Sequence, residues 1–213
     1  MQNSFTAKIM TIKLLLTLFL TTLLLTSCGG SRNTTAQKTP NHYGVLINGI
    51  RWATRNVDAP GTLAQNPEDA GMLFQWNRRK GWNDTSDFTG WDSSSARANS
   101  NNWTRANDPC PTGWRVPTRR ELRSLSNTPN KWTTRNGVYG RLFGATPYQV
   151  FLPAAGLRRR TNGELIAEGE GYYWSRTGFL KPGFLVFHNT SVSILNSLNF
   201  PAHGFSVRCV SIN

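Results

Sequence analysis

Two cysteines, Cys110 and Cys209, lie 99 residues apart downstream of an export-type leader, and they constrain the fold more than any other feature of the chain. An exported protein lives where disulfides persist, and an even pair is the expected count for one bridge. A bridge over that span would contribute about 4–5 kcal/mol in the chain-entropy account. Two free buried thiols are the competing reading. A zinc site is excluded at this level, because His42, His188 and His203 are scattered and no CxxC is present.

The leader itself is short. Lys8 and Lys13 precede an apolar run from Leu14 to Leu25, well below the roughly 20 residues that a spanning helix needs. That arrangement fits a secretory signal starting at Met1 or at Met10. Leu25-Thr26-Ser27-Cys28-Gly29 follows and resembles the lipobox of bacterial lipoproteins, in which the cysteine is acylated and becomes the new N-terminus. The expected organisation is a signal peptide over residues 1–27, a lipidated Cys28 with a polar tether to residue 42, and one domain over 43–213. The membrane is then a partner through the lipid on Cys28, and the expected location is the cell envelope, at the outer membrane. The tether carries no acidic residue that would mark either face.

Composition separates fold classes once the leader is set aside. Aromatic residues make up 11% of the chain, which argues against disorder. Only 16% of residues are charged, and the Trp, Gly and Asn content is unlike that of a helical bundle. The formal net charge is +13, and removing Lys8 and Lys13 leaves +11. The remaining basic residues are mostly arginine, a bias toward forked anion contacts.

Local signals are those of short strands joined by many turns. Asn48-Gly49 between Val45-Leu46-Ile47 and Ile50-Arg51-Trp52 predicts a hairpin. Asn66-Pro67-Glu68-Asp69 offers a short helix or helical turn. Thr118 with Glu121 forms a capping-box pattern, so a helix is expected from there to about Asn127-Thr128-Pro129, with Leu122 and Leu125 inward. Val150–Leu152, Tyr172–Trp174, Phe184–Phe187 and Val192–Ile194 read as short strands. The last run alternates, with Phe205, Val207 and Cys209 on one side and Ser206, Arg208 and Val210 on the other, as in a half-buried terminal strand. Residues 81–108, with Trp82, Trp91 and Trp103 among Asn, Ser, Asp and Thr, read as a long decorated loop.

Five blocks carry a family resemblance. They are Gly44-Val45-Leu46-Ile47-Asn48-Gly49 with Trp52 and Asn56; Asp108-Pro109-Cys110-Pro111-Thr112-Gly113-Trp114-Arg115-Val116-Pro117-Thr118 with Glu121-Leu122; Phe151-Leu152-Pro153-Ala154-Ala155-Gly156; Gly171-Tyr172-Tyr173-Trp174-Ser175; and Gly204-Phe205-Ser206-Val207-Arg208-Cys209-Val210. In this order they resemble the Fibrobacter succinogenes major paralogous domain (FISUMP), over roughly Tyr43 to Val210. Arg176 departs from the pattern, which usually has a second small polar residue there, and Arg158-Arg159-Arg160 is unusually basic. The resemblance implies an α+β domain similar to C-type-lectin-like folds and to the formylglycine-generating superfamily. Such a domain has short, mostly antiparallel strands, one or two helices, long loops and one disulfide, which joins the region before a helix to the last strand. It also implies lipoproteins and surface proteins of Bacteroidetes-like bacteria.

The candidate chemistries follow from residue types. Formylglycine-type catalysis needs two reactive thiolates, and a hydrolase triad needs a serine or cysteine motif that His188 and His203 lack, so no enzyme, catalytic residue or cofactor is expected. Trp82-Asn83-Asp84 spells the WND triplet of sugar-binding C-type lectins but precedes Cys110, too early in the domain. Calcium is left to Asp84, Asp87 and Asp92, and no metal site is expected. Tryptophan faces suit sugar rings or protein anchors, and arginine forks bind carboxylates or sulfates. The candidate ligand-binding residues are therefore Trp82, Trp91 and Trp103, expected to be exposed, with Arg158, Arg159 and Arg160 and the second basic run, Arg78-Arg79-Lys80, as anion-binding rims. Trp52, Trp114 and Trp174 are expected in the core. Nucleic acid is excluded as a partner, because no recognition motif is present and the arginines are dispersed. The sequence thus points to a non-catalytic envelope binding module for extracellular glycan or protein, or else to a structural subunit of a surface assembly.

Overall fold

In the computed structural model, residues 44–83, 88–94, 102–178, 182–196 and 202–212 are described. Cys28, the tether and the expected boundaries at 27 and 42 lie outside them, as do Asp84 and Asp87.

Strand β1 (Gly44–Ile47) turns into β2 (Ile50–Ala53) through Asn48 and Gly49, whose φ angles of 50° and 76° are what a tight hairpin demands. Next come β3 (Leu73–Gln75), β4 (Gly81–Trp82), a 3₁₀ turn (Arg105–Asn107), β5 (Trp114–Arg115) and helix α1 (Arg119–Ser126). The chain continues through β6 (Asn130–Arg135), β7 (Val138–Phe143), β8 (Val150–Pro153), β9 (Leu157–Arg158) and β10 (Leu165–Ile166). It ends with β11 (Gly171–Gly178), β12 (Pro182–Phe187), β13 (Val192–Asn196), β14 (Gly204–Phe205) and β15 (Val210–Ser211). They form four sheets, ordered β1-β2-β15-β5, β10-β9-β14-β3-β4, β11-β12-β13 and β6-β7-β8. Among the described residues every strand pair is antiparallel, with two isolated parallel bridges, Gly156–Gly171 and Tyr173–Ser206. One α-helix with mostly antiparallel strands is an α+β arrangement.

The helix begins as its sequence requires. Thr118 Oγ1 accepts from Glu121 N at 3.2 Å, and Thr118 N donates to Glu121 Oε2 at 2.6 Å, so the capping box is closed. Arg115 forks onto both oxygens of Glu121 at 2.6 and 2.8 Å, which together with the Thr118 bonds holds that carboxyl below its ordinary range against the opposing effect of burial. Leu122 and Leu125 are buried. The 66–69 segment is a turn rather than a helix: Asp69 Oδ2 accepts the Asn66 amide at 2.7 Å, closing it locally.

Two hydrophobic cores lie on either side of the last run. Phe205, Val207 and Cys209 enter one with Phe74, Trp76, Trp103 and Trp174, whereas Val210 enters the other with Trp52, Leu122, Leu152, Tyr173 and Phe187. The alternation was legible, but the half-buried strand was not: residues 202–210 are buried throughout, and pairing is broken into β14 and β15. Burial on both faces is possible because Arg208 satisfies the seam. It donates to Asn56 Oδ1 at 3.0 Å, Ala53 O at 3.2 Å and Phe151 O at 3.0 Å, and Asn56 in turn donates to Ala70 O and to the Tyr173 hydroxyl. Burial without a carboxylate partner lowers the Arg208 pKa to about 10.

Cys110 and Cys209 are bridged, with Cα atoms 6.0 Å apart. The bridge ties the segment leading into α1 to the final strand. Asp108 organises its near side, accepting from Cys110 N at 3.0 Å and Val116 N at 3.1 Å. Burial raises the Asp108 pKa; those two amides and the charges of Arg176 and Arg115 oppose it. Arg176 thus sits near a half-buried carboxylate.

Candidate functional site

The sheet containing β9, β14, β3 and β4 gathers most of the residues singled out in the sequence. Arg158, on β9, pairs in register with Gly204 of β14, and Gln75 of β3 pairs with the same glycine. The Arg158 side chain is 1% exposed; it donates to Gly163 O at 2.5 Å and to Asn83 O, and it lies over the Phe88 ring at 5.2 Å. This corrects its expected place on an anion-binding rim, since its fork closes the turn after β9 onto the 81–83 segment. Arg159 and Arg160 follow it outward and are exposed.

Trp91 covers this junction. Its indole N–H donates to Arg160 O at 2.9 Å, and it meets Trp82 edge-on with centroids 4.8 Å apart. A side chain on Gly204 would meet Arg158 Cβ at 3.0 Å and the Trp91 ring at 3.1 Å, so a bare backbone leaves room for both there. The 88–94 segment is held at a second point, where Gln75 Nε2 donates to Asp92 O at 2.7 Å and Ala202 O at 2.8 Å.

The second basic run splits around the same ring pair. Arg78 bonds Asp92 at 2.7 Å, and Lys80 lies 5.3 Å from the Trp82 ring while donating to Thr89 O. Arg79 points elsewhere, to Asp108 O at 2.8 Å. Asp92 is held below its ordinary pKa, first by its hydrogen bonds with Ser94 and also by Arg78.

Exposure differs from expectation for two of the three loop tryptophans. Trp82 and Trp103 are buried, and only Trp91 is half-buried. Trp103 does not join the cluster. It packs edge-on against Trp76 at 6.0 Å in the first core, with its N–H on Asn107 O at 2.8 Å. Polar neighbours hide this in the sequence: Trp103 is swallowed whole while the Asn and Thr around it stay outside. Trp52, Trp114 and Trp174 are buried as expected.

Sequence reasoning passed over His203 and Asn83 as members of this site. His203, buried two residues before Phe205, has its pKa lowered to about 4, by burial first and then by the charges of Arg160 and Arg159. Asn83 supplies the carbonyl that Arg158 grips, and it also lines an open groove of about 400 Å³ with Asp58, Gln65 and Asp69. That groove carries two carboxylates, Asp58 and Asp69, whereas the exposed Arg159 and Arg160 beside Trp91 are the part of the site suited to an acidic group. The basic runs and the loop tryptophans were the available signals, because the other contributors are joined through long-range pairing.

The second histidine, His188, lies in an exposed turn with Nε2 2.6 Å from Ser191 Oγ. Among the described residues no group of three His, Cys, Asp or Glu is placed to hold a metal ion, and no helix is long and apolar enough to cross a membrane. No protein-family model, curated protein or solved structure matches the chain.

Proposed function

We propose that the chain is a lipid-anchored, non-catalytic binding module of a bacterial cell envelope. Its ligand is an extracellular glycan or protein, and its contact surface is the rim of Arg159 and Arg160 beside Trp91. We further propose that it is a FISUMP-type domain with a C-type-lectin-like fold. The observation that carries the reading is the convergence of Trp82, Trp91, the 158–160 arginines, Arg78 and Lys80, which are separated by some 80 residues in sequence, around one pinned junction.

Three features support it. The resemblance blocks supply Asn56, Tyr173 and Arg208, which bond one another across the seam between the cores, and Asp108, which holds the segment carrying Cys110, so these residues do structural work that suits one shared domain. The lipobox at Cys28 and the bridged cysteines suit an oxidising location. The bridge also withdraws both thiols from the metal–thiolate chemistry that a formylglycine-type enzyme requires.

The full chain, purified in detergent, is expected to bind a subset of acidic glycans or surface proteins on an array, with affinity that falls as salt rises. Stoichiometric cross-links to a repeating neighbour on intact cells, with no array binding, would instead identify a structural subunit.

A further inference from the structure

Of the eight tryptophans, only Trp91 and Trp132 are not buried. Trp132 was not singled out by sequence, and its strand belongs to a different sheet from that of Arg158. The β6–β7 hairpin turns through Asn136 and Gly137 (φ 47° and 82°), and its register sets Trp132 opposite Arg141 and Thr134 opposite Tyr139. These four side chains therefore share one face. On it the Trp132 and Tyr139 rings lie nearly parallel, 14° apart in plane with centroids 6.0 Å apart, and Tyr139 is 58% exposed.

The face is fixed in place from several sides. The inner edge of Trp132 meets the core ring of Phe187 at 6.4 Å. Tyr139 O accepts from Ala154 N at 2.9 Å, and the hairpin tip is tied down where Asn136 donates to Glu68. Arg141, 7% exposed, donates to Asn130 Oδ1 at 2.6 Å, His188 O at 2.7 Å and Asn189 O at 3.0 Å. Those last bonds hold the exposed 188–191 turn against the hairpin. The turn presents an imidazole and the hydroxyls of Thr190 and Ser191, which hydrogen-bond one another.

A sugar ring has a C–H face and a hydroxyl edge. Parallel aromatic rings suit the first, and clustered hydroxyl, imidazole and amide groups suit the second. A protein anchor would want a pocket with an apolar wall. Tyr139 shares its face with Trp132, Thr134 and Arg141; Leu152, opposite Arg141, is fully buried, and Val138 belongs to the opposite face, so Thr134 rather than an apolar wall is the exposed neighbour of the two rings.

We propose that this face is a second ligand site, seating the C–H face of a sugar ring of a polysaccharide on the exposed side of the stacked Tyr139–Trp132 pair, with its hydroxyls on the 188–191 turn. It goes beyond the function proposed above, because it does not involve Arg159 or Arg160.

The test uses the full chain in detergent, titrated with soluble cellulose-type and chitin-type oligosaccharides. Tyr139→Ala removes an exposed ring and leaves the core intact, so folding, checked by circular dichroism, is expected to persist. It is expected to weaken binding of at least one probe by roughly tenfold or more. Tyr139→Phe should bind as the wild type does, and the Arg159→Gln/Arg160→Gln pair should leave the affinity within about twofold. The proposal is overturned if the wild type binds neither probe, if Tyr139→Ala binds as well as wild type, or if the arginine pair loses binding to the same extent. Tyr139-dependent binding to anionic lipid vesicles in place of oligosaccharides would overturn it too.

Discussion

Among the described residues three arginines, Arg141, Arg158 and Arg208, are buried, and each spends its fork mainly on main-chain carbonyls. The arginine bias therefore has an internal use that the sequence reading assigned wholly to anion contacts. Five fixed donors can close several loops at once, which a lysine ammonium cannot do in the same geometry. Arg208→Lys should thus destabilise the fold by roughly 2–3 kcal/mol, because Ala53 O and Phe151 O lose their donors in a dry seam. Urea unfolding measures this, and a change below about 0.5 kcal/mol would refute the role given to the fork. His203 gives a pH prediction. Its folded pKa of about 4 lies below the ordinary histidine value, so below about pH 6.5 the unfolded chain takes up a proton that the folded one refuses. Stability should fall as pH drops from 6.5 toward 4, by up to about 1.4 kcal/mol per unit. His203→Gln should flatten that fall between pH 7 and pH 5. Equal losses in both proteins would show that His203 is not its source.

At the scale of elements, what was legible is what local chemistry decides. Asn48-Gly49 and the Thr118–Glu121 box each contain their own geometry, and both formed as expected. Asn136-Gly137 carries the same hairpin signal but is flanked by Lys131, Thr133, Thr134 and Arg135 without apolar alternation, so β6–β7 did not stand out. The 66–69 segment had helix-start residues but no apolar stripe to bury, and Asp69 closed it as a turn. Thr118→Ala should cost about 1 kcal/mol in thermal or denaturant unfolding, since it removes the acceptor for Glu121 N and loosens the Glu121 bonds. A larger loss, above about 3 kcal/mol, would mean that the Arg115–Glu121 pair depends on the threonine as well.

At the scale of the molecule, the chain is two cores joined at the 202–210 run, with one bridge fastening that run to the segment before α1. The pairing of the cysteines was legible from counting, whereas the proposed contact residues were only half so. Residue type nominated Trp82, Trp91 and Arg158, but the long-range pairing of β9, β14 and β3 decided that Trp91, Arg159 and Arg160 reach the surface while Trp82 and Arg158 hold it up. The Cys110→Ser/Cys209→Ser protein should lose about 3–5 kcal/mol, with Tm lower by roughly 10 °C or more. The central claim is that the rim around Trp91 is a contact surface for an acidic ligand. Its most direct measurement is the affinity of the full chain for its best acidic glycan or protein partner before and after Arg159→Glu/Arg160→Glu. The account predicts a loss of at least roughly tenfold at low salt that narrows as salt rises, with the fold unchanged. Unchanged affinity in the reversed-charge protein would contradict it.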